Sequence, residues 1–185
     1  YSVLVLPLSI LSCIILIIIF DYTYLHNMNI SRSGGDGLVL RSYSRDITYF
    51  LSTGKFADFF KGVESVYNFT PGIRYFFSIQ SLIFGEFLYG YVLITFLLPL
   101  IIFKILRKFL SNQISFILIL SFLYIPIFER YGFGYFNYIR ELVRSHSEVL
   151  GIVLFLLGYL LFLNKSKGKL YLFLSGFSLG ITGIV

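Results

Sequence analysis

An all-α, polytopic transmembrane helical bundle is the fold class this sequence predicts, and three observations carry that expectation. The 185 residues are 57% hydrophobic and 13% charged, with a mean hydropathy of +0.86, far more apolar than a soluble globular composition. The apolar residues fall in blocks suited to crossing a hydrocarbon core of about 30 Å, which takes roughly 20 helical residues because lipid offers the backbone no other partner. Lys and Arg are dispersed in short segments between those blocks, so the net charge of +6 reads as topology and not as a nucleic-acid surface.

Residues 3–20 are the first expected span. The run is longer than a signal-peptide core, and Phe20-Asp21-Tyr22 is no small-residue cleavage site. Residues 21–85 follow as a long outer loop holding most of the acidic residues, and further spans are expected at 87–103, 114–128, 149–163 and 170–185. Lys104, Arg107 and Lys108 form one cationic loop, and Lys165, Lys167 and Lys169 another. Two spans separate them, so the positive-inside rule assigns both to the cytoplasm and residues 21–85 and 129–147 to the outside. Tyr1 is not preceded by an initiator Met and Val185 ends inside an apolar block, from which we expect a piece of a longer chain. Cys13, the single cysteine, lies in an apolar run and excludes a disulfide framework and a thiolate cluster.

Within the outer loop, residues 37–52 read as an amphipathic helix lying on the membrane. Leu40, Tyr43, Ile47, Phe50 and Leu51 recur at three- and four-residue spacing, Arg41 and Arg45 stand on the other side, and Ser52-Thr53-Gly54 is the stop. Residues 71–84 read as a second surface helix, interfacial or re-entrant, capped by Thr70, opened by Pro71 and closed by an αL Gly85. Its apolar stretch, 73–84, is too short to span, and a crossing there would invert every later loop.

Three places have residues suited to chemistry. Asp36, in Gly34-Gly35-Asp36-Gly37, heads the first surface helix; a carboxylate there can deprotonate an acceptor hydroxyl or ligate a metal, and it can equally serve as an N-cap. Arg74 follows Thr70-Pro71-Gly72, where helix initiation explains most of the pattern. Arg140-Glu141 and Arg144-Ser145-His146-Ser147-Glu148 lie at the outer mouth of the fourth span. Guanidinium groups there match phosphate bidentately, while Ser145 and Glu148 also fit a capping box that needs no ligand. His146 and Glu148 are too few for a zinc site. Asn29-Ile30-Ser31 and Asn68-Phe69-Thr70 match the glycosylation acceptor pattern, which arises often by chance, and carry no assigned role. The aromatic residues, 20% of the chain and without Trp, are spread through the spans as lipid-facing and interfacial packing.

The order of these parts resembles the GT-C superfamily of membrane glycosyltransferases, which includes protein O-mannosyltransferases and bacterial aminoarabinose transferases. Gly35-Asp36-Gly37 with Tyr43-Ser44-Arg45-Asp46-Ile47, then Thr70-Pro71-Gly72-Ile73-Arg74-Tyr75-Phe76 and Leu82-Ile83-Phe84-Gly85, carry the likeness. It covers residues 1–165 as architecture and only these short motifs as sequence. The resemblance implies transfer of a sugar from a polyprenyl-phosphate-linked donor to an acceptor on the outer face of the membrane, with a bacterial inner membrane as the setting. It implies that Asp36 acts as general base or metal ligand, that Glu148 joins the same cavity, and that a divalent metal is a possible cofactor. Arg41, Arg45, Arg74, Arg140 and Arg144 form the pool for the donor phosphate. Members carry more spans and a C-terminal region, so a piece of this size is expected to be inactive alone. The alternatives are a lipid-linked oligosaccharide polymerase or flippase, or another polytopic transporter. Those classes predict functional charges within spans, or repeated topology with broken helices, and neither sign is visible.

Overall fold

A computed structural model describes residues 1–27, 35–62, 71–85, 89–125, 134–143 and 148–185. Among these residues the regular structure is entirely helical: α1 (Ser2–Asn27), α2 (Gly35–Ser52), α3 (Phe56–Lys61), α4 (Gly72–Phe84), α5 (Tyr89–Leu106), α6 (Asn112–Tyr124), α7 (Tyr135–Val143), α8 (Glu148–Leu163) and α9 (Lys169–Thr182).

The apolar helices α1, α5, α6, α8 and α9 run up and down between two ends. At one end Tyr1 meets Phe116 with ring centroids 5.2 Å apart, and Lys108 Nζ donates to Asn164 Oδ1 at 2.8 Å. At the other end the backbone N–H of Gly72 donates to Ile184 O at 2.7 Å, and Tyr91 N–H donates to Gln80 Oε1 at 2.9 Å. That places α4 across the bundle at the start of α5 and the finish of α9. Among the described residues α5 alone is long and apolar enough to cross a membrane, its 18 residues reaching about 27 Å at 1.5 Å each. Residues 3–19 of α1, together with α6, α8 and α9, are shorter apolar helices.

Side-chain size decides how closely the helices approach. Ser175 Oγ of α9 donates to Gly158 O at 2.8 Å and Ser178 Oγ to Leu154 O at 2.7 Å, drawing α9 against α8. Ser9 Oγ of α1 donates to Phe96 O at 2.9 Å, in the turn of α5 before Pro99, whose missing N–H disrupts the helical ladder.

Four expectations are corrected. The helix expected over 114–128 ends at Tyr124, because Ile125 is extended (φ −99°, ψ 111°) and Pro126 disfavours a helical residue before it. Gly85 has φ 71° but ψ −148°, so it closes α4 outside the αL region, with its N–H donating to Ser81 O. Arg41 does not lie on a solvated face of α2: it is 6% exposed, because α4 covers that side. Residues 135–143, read as part of a loop, form α7, which packs on α1, α5, α6 and α8.

Candidate functional site

The layer at the α4 end is built on two buried guanidinium groups. Arg74 is fully buried, its Nη1 donating to Gly62 O at 3.1 Å and its Cζ lying 4.5 Å from the ring centroid of Tyr43. Arg41 sits over Phe77, 5.4 Å from the ring centroid. Guanidinium is weakly hydrated and stacks on aromatic faces, which makes it the cation that such an apolar interface tolerates. Thr48 Oγ1 and Ser78 Oγ share a hydrogen bond at 2.9 Å, and Tyr75 OH donates to Phe59 O and Phe60 O. These contacts tie α2, α3 and α4 together. Arg45, one turn further along α2 than Arg41, is exposed. Asp36 is the second residue of α2, and its side chain lies outside the described residues.

The second part of the layer is α7 with the start of α8. Arg140 Nε donates to Glu141 Oε1 at 3.2 Å, with the two side chains 31% and 27% exposed, a surface pair of small energetic weight. Glu148 is the exposed first residue of α8, where its charge suits the helix dipole. Arg144 and residues 145–147 of the capping box lie outside the described residues, as do residues 29–31 and 68–70 of the glycosylation patterns. Beneath the surface, Tyr138 OH donates to Val149 O at 2.8 Å, and Tyr135 OH reaches Ser9 Oγ at 3.4 Å. Burial pushes both phenols well above their ordinary range, so they act as neutral hydrogen-bonding groups.

The expected site residues thus fall in two groups. Arg41 and Arg74 meet at the packing of α2 on α4, while Arg140 and Glu148 belong to α7 and α8. Among the described residues no three of His, Cys, Asp and Glu gather as a metal-holding group. Glu148 contributes a single carboxylate and Glu141 pairs with Arg140. Sequence reasoning missed Gln80 and Tyr138, which satisfy backbone groups at the starts of α5 and α8. The buried faces Tyr135, Tyr138, Ile139 and Leu142 do carry a helical signal, at spacings of three and four. No family model matches this chain, and neither a curated protein nor a solved structure resembles it significantly.

Proposed function

We propose that this chain forms the helical core of a membrane glycosyltransferase that moves a sugar from a polyprenyl-phosphate donor to an acceptor hydroxyl. Membrane embedding is supported by the bundle's outer surface: Ile18, Leu97, Ile117, Phe155 and Phe173, one from each of α1, α5, α6, α8 and α9, are 42–69% exposed. Water penalises such a belt, whereas lipid does not. In this reading all five helices cross a plasma membrane of the bacterial inner-membrane type, with the α4 end outside.

The observation that carries the functional reading is the separation of the two ends. Cationic loops occupy one, and at the other α2, headed by Asp36, packs on α4 around two buried arginines. A carboxylate at a lipid–water boundary meets both a water-borne acceptor and a donor whose tail stays in lipid. The acceptor oxygen attacks the anomeric carbon, its proton passes to the Asp36 carboxylate, and the bond from that carbon to the phosphate oxygen breaks. The polyprenyl phosphate leaves with its charge met by arginine. Exposed Arg45 and half-buried Arg140 suit that contact better than Arg41 and Arg74, which are committed to packing.

Asp36→Asn tests the assignment, because in the first turn of α2 it gives up only about 0.3–1 kcal/mol of charge–dipole interaction and cannot accept the proton. Transfer from a lipid-linked donor by membranes carrying the full-length gene product should fall by about 10² to 10⁴ at matched expression. Near-normal turnover would remove Asp36 from the mechanism.

A further inference from the structure

The strongest unassigned feature is a cavity of 520 Å³ at the end of the bundle away from α4. Lys104, Arg107 and Lys108 from the end of α5, Lys167 from the turn before α9, Leu157, Leu160 and Leu161 of α8 and Tyr171 of α9 line it. Lys167 Nζ lies over the Tyr171 ring, 5.8 Å from its centroid. Asn164 links the cations to α8, its Oδ1 accepting from Lys108 Nζ at 2.8 Å and its Nδ2 donating to Leu160 O at 2.8 Å.

Charge is concentrated here more sharply than topology requires. Residues 104–113 and 164–169 contain six of the 15 Lys and Arg residues and none of the nine Asp and Glu residues. The other nine cations equal the carboxylates in number, so the whole excess of +6 belongs to these two short loops. The positive-inside rule needs cations in loops; it does not need them gathered around a cavity that leucines also line. The four lining cations are exposed, and among the described residues no carboxylate lines the cavity beside them. The volume falls in the range of small-molecule sites. The lining thus offers cations that suit a phosphate and leucines that suit a hydrocarbon chain.

We propose that this cavity binds the phosphate headgroup of an anionic glycerophospholipid from the cytoplasmic leaflet. The phosphate lies among Lys104, Arg107, Lys108 and Lys167, and the upper acyl chain lies along Leu157, Leu161 and Tyr171. Basic pockets between helices on the cytoplasmic side are suited to such headgroups. The proposal rests on the membrane reading above but not on glycosyl transfer, and the two fail separately.

The test is calorimetric titration of the full-length protein in nonionic detergent with dihexanoyl phosphatidylglycerol, dihexanoyl phosphatidylcholine and inorganic phosphate. This readout does not depend on orientation in a membrane. Phosphatidylglycerol should bind at least about tenfold more tightly than phosphatidylcholine, because each cation contributes a factor of about five. Lys167→Gln should weaken it about fivefold and the triple change Lys104→Gln, Lys108→Gln, Lys167→Gln about a hundredfold. Replacing the same three lysines with Arg should retain binding, which separates lost charge from lost fold. Equal binding of the two lipids, or phosphatidylglycerol binding unchanged by Lys167→Gln and by the triple change, overturns the proposal. Inorganic phosphate binding as tightly as phosphatidylglycerol also overturns it, since the leucines would then contribute nothing.

Discussion

Gly158 of α8 lies against Leu179 of α9 with no room for a side chain: a Cβ at Gly158 would stand 2.8 Å from Leu179 Cγ and 3.3 Å from its backbone nitrogen. The approach brings the Ser175 and Ser178 hydroxyls onto α8 carbonyls. Small residues that let backbones approach are a main source of helix association in lipid, where no hydrophobic drive exists between helices.

Gly158→Ala should therefore lower stability by about 1–3 kcal/mol through overpacking, read as the thermal midpoint in detergent. Gly151, seven residues earlier on α8, has nothing within 4 Å of a built Cβ. Its change to Ala should be neutral or stabilising by up to about 1 kcal/mol. Adding Leu179→Ala to Gly158→Ala should recover part of the loss as a non-additive coupling. Equal effects at both glycines would show that the contact with Leu179 is not what matters.

The two buried phenols of α7 should differ. Tyr138 OH bonds to Val149 O at 2.8 Å, whereas Tyr135 OH lies 3.4 Å from both Ser9 Oγ and Ser9 O. The longer contacts are weak by geometry. Tyr138→Phe should cost about 0.5–1.5 kcal/mol and Tyr135→Phe less, measured by denaturation under matched conditions. The reverse order would contradict this reading of the bundle's polar contacts.

The pattern of apolar helices was legible because an apolar run between charged loops states both its length and its ends. Tyr89–Leu106 and Glu148–Leu163 lie within a few residues of the expected 87–103 and 149–163. The short helices were harder. Phe56–Lys61, six residues long, has too few turns for a periodic signal, and the nine residues of α7 sit in a polar stretch that draws attention to its charges. Arg41 was misassigned because a one-dimensional pattern sorts side chains by polarity. The face of α2 that is buried depends on where α4 lies, and the rings of Phe77 and Tyr43 make that position hospitable to guanidinium. The cations of residues 104–108 and 165–169 were recognised in the sequence, but only as topology. Their shared cavity depends on α5 and α8 ending side by side, a relationship no spacing encodes.

The arginines on the α2–α4 layer should separate folding from function. Arg74 is fully buried, with a carbonyl and a ring against its guanidinium. Arg74→Ala should cost about 2 kcal/mol or more and reduce the amount of folded protein. Arg45 is exposed, so Arg45→Ala should shift stability by no more than about 0.5 kcal/mol. If Arg45 meets the donor phosphate, the same change raises KM for the lipid-linked donor while the thermal midpoint stays fixed. A fall in folded yield with Arg45→Ala, or none with Arg74→Ala, would reverse the roles of the two arginines.

The bundle's orientation makes the last prediction, and it follows from which contacts lie at which end. Lys108 with Asn164 marks one end, and Gly72 with Ile184 marks the other. The cationic loops lie at the first, so for the membrane-spanning bundle proposed above the positive-inside rule expects that end in the cytoplasm and the α2–α4 layer outside. Cysteines introduced singly at Phe109 and Lys165, both exposed in the loops, should be protected from a membrane-impermeant thiol reagent in intact cells and labelled after permeabilisation. Cysteines at Thr53 and Lys55, exposed in the turn after α2, should be labelled without it. The background is Cys13→Ala, which removes a thiol that is fully buried and so leaves little signal to subtract. Because α4 lies at the same end as the starts of α5 and α8, labelling at Thr53 together with protection at Phe109 would require an odd number of crossings between them, which α5 supplies. Labelling of all four positions in intact cells would mean that the loops at residues 104–111 and 164–169 do not face the cytoplasm, and the membrane reading of this bundle would fall with it.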